Sequence, residues 1–319
     1  MHPKAVHLEG GNNFDRMRIN INQSLKLQDE WLKSVDRKSL RGSRLFNRIS
    51  LKLLSYQMKL NLYQPFVLNG LRKKWFDEFH EYWKDCLQGH PLTVMDFHHL
   101  YFHYRTKSLF KSDKELEWGS PAEHIAHWQE PDNISLLFHY VLKYALRPVW
   151  EARLGEFLKP GFRILEFGCG LAPIYRTYRC YFNHIETQWY LADIPIITFH
   201  YDRYTYGREQ GVDFICITPD SMDDPLQDIK VDFDLIIMLD VFEHLSRPMV
   251  IAEKLLDYLK KDGYFYFNYI NSAGKGLDTT DGSKERISTL DFLSRKLRMI
   301  SGNFAVTDEN IPVCIGVKT

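Results

Sequence analysis

The sequence predicts an α/β protein, with a sheet flanked by helices in the second half of the chain and a mainly helical first half. From Phe162 onward, short β-rich runs alternate with amphipathic stretches, the pattern of a parallel sheet covered by helices. Before that point, apolar residues recur at helical spacing, as at Leu45, Ile49 and Leu53. A strand followed by an acidic residue and a glycine turn, at residues 163–173, adds the signature of a nucleotide site.

Length and composition predict two globular domains. The chain has 319 residues, of which 45% are hydrophobic, enough for large packed cores. We place a mainly helical domain at residues 1–148 and a second domain at 149–319. The five cysteines are scattered without CxxC spacing, which indicates reduced thiols. No run approaches 18 uninterrupted apolar residues, so we predict no membrane span and expect a cytoplasmic protein.

The first half carries several helix signals. Helices are predicted within residues 45–83, and Gly119-Ser120-Pro121 predicts the start of another. A further helix is expected from about residue 133 to 154. Three ring-bearing residues of interest lie on the helix after Pro121, namely His124, His127 and Trp128. An earlier group, His98, His99 and His103, lies among aromatic residues, which favours packing over metal binding.

The second half contains seven predicted strands, with a helix near residues 287–297 before the last two. The strands are Arg163 to Phe167, Gln188 to Ala192, Val212 to Ile217, Phe233 to Leu239, Gly263 to Tyr269, Phe304 to Thr307 and Val313 to Lys318.

The chemistry is concentrated at the ends of these strands. Gly168 and Gly170 permit a tight turn and close approach of a ligand, and a helix begins near Pro173. Asp193 ends the second strand, where a carboxylate can accept hydrogen bonds from ribose hydroxyls. Pro173 stands where a dinucleotide dehydrogenase has its third glycine, and no P-loop spacing is present.

The order EFGCG, AD, DSMDDPL, FDLIIMLDVFEHL and LKKDGYFYF resembles the class I S-adenosylmethionine-dependent methyltransferase family over about residues 150–319. The resemblance implies a Rossmann-like fold and S-adenosylmethionine as cofactor. The last two strands are similar to the family's closing antiparallel hairpin, so the seven-stranded sheet should be mixed.

The resemblance also implies the cofactor site. Glu166 and the glycines would surround the methionine end and ribose, Asp193 would hold the ribose hydroxyls, and Asp220 would hold the adenine amine. The full set is Glu166, Gly168, Cys169, Gly170, Asp193, Ile194, Asp220, Ser221, Met222, Leu239 and Asp240. Ala172 replaces a frequent third glycine of the family, which should affect helix packing more than ligand identity.

Candidates on the acceptor side follow from residue type and position. A general base is needed only for some acceptors, and His124, His127 and His244 have suitable chemistry. Trp128, Tyr269 and Asn271 are candidate substrate contacts, the last two beside a long polar loop. The ExxEH-like trio Asp240, Glu243 and His244 lacks a downstream histidine, so no metal is predicted.

These observations predict methyl transfer to a small-molecule acceptor by in-line displacement. Residues 1–75 carry fifteen Lys or Arg against five Asp or Glu, so an RNA methyltransferase with a basic arm is one alternative. A non-catalytic methyltransferase scaffold is another. The helical half is a candidate lid, substrate-binding region or homodimer interface.

Overall fold

The computed structural model describes residues 75–86, 97, 116–129, 133–146, 153–271 and 278–319. The basic residues before position 75 and the histidines at 98, 99 and 103 lie outside this part of the chain. The domain boundary near residue 148 also lies outside it, so that boundary stays a prediction.

Helices and strands alternate through the second half, as predicted. The helices are α1 (Trp75–Asp85), α2 (Pro121–Trp128), α3 (Ile134–Leu146), α4 (Leu154–Phe157), α5 (Pro173–Tyr181), α6 (Ile197–Tyr206), α7 (Pro248–Asp257), α8 (Thr280–Lys284) and α9 (Arg286–Lys296). The strands are β1 (Arg163–Phe167), β2 (Gln188–Asp193), β3 (Val212–Cys216), β4 (Phe233–Met238), β5 (Leu259–Tyr269), β6 (Leu297–Ser301) and β7 (Ile311–Lys318). Short 3₁₀ turns occur at Pro219–Ser221 and Phe242–His244.

The seven strands form one mixed sheet in the order β3-β2-β1-β4-β5-β7-β6. Strands β1 to β5 pair in parallel, whereas β7 is antiparallel to both β5 and β6. This confirms the predicted Rossmann-like mixed sheet. The order reverses between β1 and β4, and ligands of open α/β sheets bind at the carboxyl ends of strands beside such a point.

Two strand predictions need correction. β5 begins at Leu259 rather than Gly263, and the sixth strand is Leu297–Ser301 rather than residues 304–307. Leu297 is buried directly after the helix, so the strand starts where the helix ends. Gly302, at φ 92°, then turns the chain, and residues 304–307 lie in the connection to β7.

Apolar side chains cover both faces of the sheet. On one face, Leu165 and Ile236 pack with Leu255 of α7 and Leu290 of α9. A second core, on the sheet residues Ile164 and Leu235, includes side chains of α5 and α6.

The helical residues of the first half form a third core against α6. Phe79 and Trp83 of α1 pack with Phe138 of α3 and with Tyr201 of α6. No helix in the described ranges is long and apolar enough to cross a membrane.

Candidate functional site

A cavity of about 440 Å³ lies at the carboxyl ends of the strands. Residues at the carboxyl ends of β1, β2 and β4 line it, including Gly170, Asp193 and Leu239. Helices α2 and α3 contribute Trp128 and Tyr140 to the same cavity. The sheet and the helical first half therefore build the site together.

The turn after β1 has left-handed backbone at three positions, Gly168 (φ 63°), Gly170 (φ 57°) and Ala172 (φ 41°). A Cβ on Gly168 would lie 2.4 Å from Cγ2 of Val241, so this glycine is required by packing. A Cβ on Gly170 would meet nothing within 4 Å, although the residue lines the cavity. Gly170 therefore keeps open a space that a ligand can enter.

Glu166 is buried at the end of β1 and lines the cavity. Its Oε1 accepts from the Ile174 N–H at 3.1 Å, and its Oε2 accepts from the Tyr175 N–H at 2.9 Å. Burial raises the pKa of Glu166 to about 8, against the lowering effect of these two donors. Glu166 thus satisfies the first N–H groups of α5 and sets the shape of the glycine turn.

Asp193 ends β2 opposite this turn. Its Oδ2 accepts from the Gly170 N–H at 2.6 Å, and its Oδ1 accepts from the Ile194 N–H at 2.7 Å. Burial raises the pKa of Asp193 to about 7, while the two backbone donors lower it. Each carboxylate oxygen has a second lone-pair direction, so both can also accept from a diol in the cavity.

Asp240 follows β4 and adopts left-handed backbone at φ 55°. Its N–H donates to Oδ1 of Asn268 at 2.7 Å, and Nδ2 of Asn268 donates to Asp240 Oδ1 at 2.6 Å. Both residues line the cavity. Asn268 is not among the predicted site residues, because it lies inside a run of aromatic strand residues.

Of the other residues predicted to bind the cofactor, some line the cavity and two do not. Ile194, Met222 and Leu239 line the cavity, as does Cys169 of the glycine turn. Asp220 is exposed on the neighbouring 3₁₀ turn, and Ser221 Oγ accepts from the Thr218 N–H at 2.9 Å. Asp220 and Ser221 are therefore not brought to the cavity wall, although they adjoin Met222.

Helix α2 begins as predicted, with Ser120 Oγ accepting from the Glu123 N–H at 3.2 Å. His124 is buried, stacks on Trp118 with ring centroids 4.0 Å apart, and shares a 3.3 Å hydrogen bond with Ser246. Burial first, then His244 and His127, lower the pKa of His124 to about 4. His124 and Trp128 line the cavity, whereas His127 does not.

His244 also lines the cavity, and its ring lies 5.6 Å from that of Trp128. Its Nε2 is 3.9 Å from Oε1 of Glu243, whose carboxyl pKa burial raises to about 7. Within the described residues, no group of three or more His, Cys, Asp and Glu side chains could hold a metal ion.

One face of α3, carrying Leu136, Tyr140, Lys143 and Tyr144, lines the cavity. The rings of Tyr140 and Tyr144 are stacked, with centroids 5.6 Å apart and planes at 7°. Sequence reasoning identified this helix but none of these cavity residues. Their spacing of three and four was the available signal.

Tyr269 and Asn271 lie away from the cavity lining. The Tyr269 hydroxyl donates to the carbonyl of Gly282, and the ring is buried. The Asn271 N–H and side chain bond to Asn310 and Asp308 at the surface. The two candidate substrate residues therefore stabilise the loops around the end of β5 in this structure.

A family model described as a methyltransferase domain matches residues 137–300, slightly more than half of the chain. The chain belongs to this methyltransferase family. Together with the seven-stranded sheet, this confirms the predicted enzyme class and S-adenosylmethionine as the cofactor of the methyltransferase.

Several solved structures are similar to the methyltransferase. The [4+2]-cyclase SpnF is 18% identical, with 47% of this chain and 57% of that chain covered and a TM-score of 0.35. An O-methyltransferase family protein from Burkholderia thailandensis is 10% identical, with 71% of each chain covered and a TM-score of 0.42. The magnesium protoporphyrin IX methyltransferase from Synechocystis PCC 6803, solved with bound S-adenosylmethionine, is 11% identical. The match covers 77% of this chain and 97% of that chain, with a TM-score of 0.35. No curated protein matches the sequence significantly.

The residues of the cavity fit S-adenosylmethionine. Asp193 offers a buried carboxylate whose oxygens can accept from ribose hydroxyls, and Gly170 leaves open space beside it. Apolar side chains of Ile194, Met222 and Leu239 provide surfaces for a flat heterocycle.

Proposed function

We propose that the protein transfers a methyl group from S-adenosylmethionine to a small molecule. The observation that carries this proposal is the shared cavity, in which the Asp193 side faces residues contributed by α2 and α3. A cavity lined by aromatic side chains such as Trp128 and Tyr140 suits a small, partly apolar acceptor better than a polymer.

In this proposal, Asp193 holds the ribose and the Gly168–Gly170 turn lies against the methionine end. Asp220 and Ser221 approach the adenine from the edge, next to Met222. The bound cofactor supplies an electrophilic methyl on a positively charged sulfur. The protein's residues then align the acceptor with the methyl group and exclude water. Alignment supplies most of the rate of such a displacement.

Of the three histidines, His244 is the base we favour for acceptors that need one. It lines the cavity and is partly exposed, whereas buried His124 has a lowered pKa and His127 is outside the lining.

The test is transfer of label from S-adenosylmethionine tritiated on the methyl group, using two acceptor pools from one cell extract. We expect label in the low-mass pool and none with Asp193→Ala. Label in the purified RNA pool instead would support the alternative in which the basic first 75 residues bind RNA. No transfer by protein that binds the cofactor would support a non-catalytic scaffold.

A further inference from the structure

Two tyrosines of α3 present a pair of aromatic faces at the acceptor side of the cavity. Tyr140 and Tyr144 are one helical turn apart, and their rings are nearly parallel at 5.6 Å. Both line the cavity. We call Tyr140 and Tyr144 the ring pair.

The ring pair is already in contact with a cation. Nζ of Lys143 lies 5.0 Å from the centroid of Tyr144 and 5.6 Å from the centroid of Tyr140. Both distances are within the range of about 6 Å at which an ammonium is attracted to an aromatic face. The Lys143 side chain is exposed, so it can leave the rings for solvent without becoming buried.

Acidic side chains outnumber lysines and arginines in the described lining of this cavity. Glu166, Asp193 and Asp240 line it, and Lys143 is the only lysine or arginine among its described lining residues. The low pKa of His124, near 4, keeps that ring neutral at neutral pH. Burial, followed by the charges of Asp240 and Glu243, raises the pKa of Tyr140 to about 12, so its phenol stays protonated close to these acids.

Asp240 is the carboxylate available to an acceptor. On the cofactor side, Glu166 accepts from the first N–H groups of α5, and Asp193 accepts from the Gly170 N–H of the glycine turn. Asp240 is held by Asn268 through one oxygen, Oδ1, and lies on an exposed part of the wall. A carboxylate near aromatic faces is a combination that recognises organic ammonium groups.

We propose that the acceptor is an amine, which enters as an ammonium and is bound between the ring pair and Asp240. This inference rests on the proposed function. An anionic acceptor would meet the Asp240 carboxylate, which Lys143 offsets as the one lysine or arginine of the described lining, and a neutral acceptor would gain no ion pair with Asp240.

Asp240 and the ring pair lie where positive charge would develop on the acceptor nitrogen during methylation of an amine. The ammonium first releases one proton to His244, the base favoured above, and the nitrogen lone pair then forms the bond to the methyl carbon. The electron pair of the breaking carbon–sulfur bond stays on sulfur, giving S-adenosylhomocysteine. Positive charge passes from sulfur to the methylated nitrogen, where Asp240 and the ring pair stabilise it.

The test uses three probes of similar shape and different charge, titrated into the protein saturated with S-adenosylhomocysteine, which carries no charge on sulfur. The probes are choline, the neutral 3,3-dimethylbutan-1-ol and the anionic 3,3-dimethylbutanoate. We expect choline to bind about tenfold more tightly than the alcohol. Tyr144→Phe should keep this preference, because the ring remains, whereas Tyr144→Leu and Asp240→Asn should reduce it.

Lys143→Met tests whether the charge of the cavity favours cations, because it removes the lysine charge beside the ring pair. Removing the resident cation should tighten choline binding severalfold and weaken dimethylbutanoate binding. If choline binds no better than the alcohol, including the case in which neither binds, or if the anion binds best, the amine proposal is wrong. Failure of S-adenosylhomocysteine itself to bind would instead contradict the proposed function, so the two failures are distinguishable.

Discussion

Asp240 and Asn268 exchange two hydrogen bonds between the ends of β4 and β5, with donor–acceptor distances of 2.7 and 2.6 Å. Asp240 has the left-handed backbone that asparagine and aspartate tolerate better than most residues. The pair therefore fixes a carboxylate at the acceptor side of the cavity by anchoring it to the neighbouring strand.

We expect Asn268→Ala to lower the free energy of unfolding by about 1–3 kcal/mol, because a backbone donor and a carboxylate lose their partner. Urea denaturation measures this change. Asn303→Ala, on an exposed loop, is the matched control and should change stability by less than about 0.5 kcal/mol. Equal stability of the two variants would show that the pair contributes nothing.

The two glycines of the turn should respond differently to alanine. Gly168→Ala brings a Cβ against Val241 and should mainly reduce stability, by about 2–4 kcal/mol including the cost of left-handed backbone. Gly170→Ala meets no protein atom within 4 Å, so its larger effect should be on cofactor affinity. Thermal unfolding and titration of S-adenosylhomocysteine separate the two quantities. The reverse pattern would contradict the ligand-facing role of Gly170.

Ala172→Gly should stabilise the protein by up to about 1 kcal/mol. Ala172 caps α5 with φ 41° and ψ 57°, a conformation that costs alanine energy and glycine little. Ala126→Gly, at an exposed position within α2, should destabilise by about 1 kcal/mol and serves as the control of opposite sign. A loss of stability in Ala172→Gly would mean that packing of the methyl group outweighs backbone strain.

His124 should make folding stability depend on pH. Its folded pKa of about 4 is below the ordinary value of 6.5, so between these values the unfolded chain binds more protons. Its contribution to the free energy of unfolding therefore rises with pH from about 4 to 6.5 and is constant above that.

His124→Phe, which keeps a ring beside Trp118, should remove this contribution. From pH 7 to pH 5, the wild type should lose about 2 kcal/mol more than the variant. Urea denaturation at both pH values tests this, and parallel behaviour of the two proteins would show that His124 titrates normally.

The glycine turn and the acids at the ends of β1 and β2, Glu166 and Asp193, could be predicted because they lie at characteristic places in a local strand–turn–helix sequence. Their positions relative to one another depend mainly on residues that are close in sequence. The cavity face of α3 could not be found this way, since it depends on how Phe138 and its neighbours pack against Tyr201. On β5, alternation of side chains places Asn268 at the cavity and directs the Tyr269 hydroxyl to the carbonyl of Gly282, so the strand residue that lines the cavity is one position before the predicted Tyr269.

Titration calorimetry with S-adenosylmethionine and S-adenosylhomocysteine measures whether this cavity binds the cofactor through Asp193. We expect micromolar binding of both ligands, a loss of at least about tenfold in Asp193→Ala, and no change in Asp228→Ala, which removes an exposed carboxylate. Absence of binding by well-folded wild-type protein, or equal affinity in the two variants, would contradict cofactor binding through Asp193.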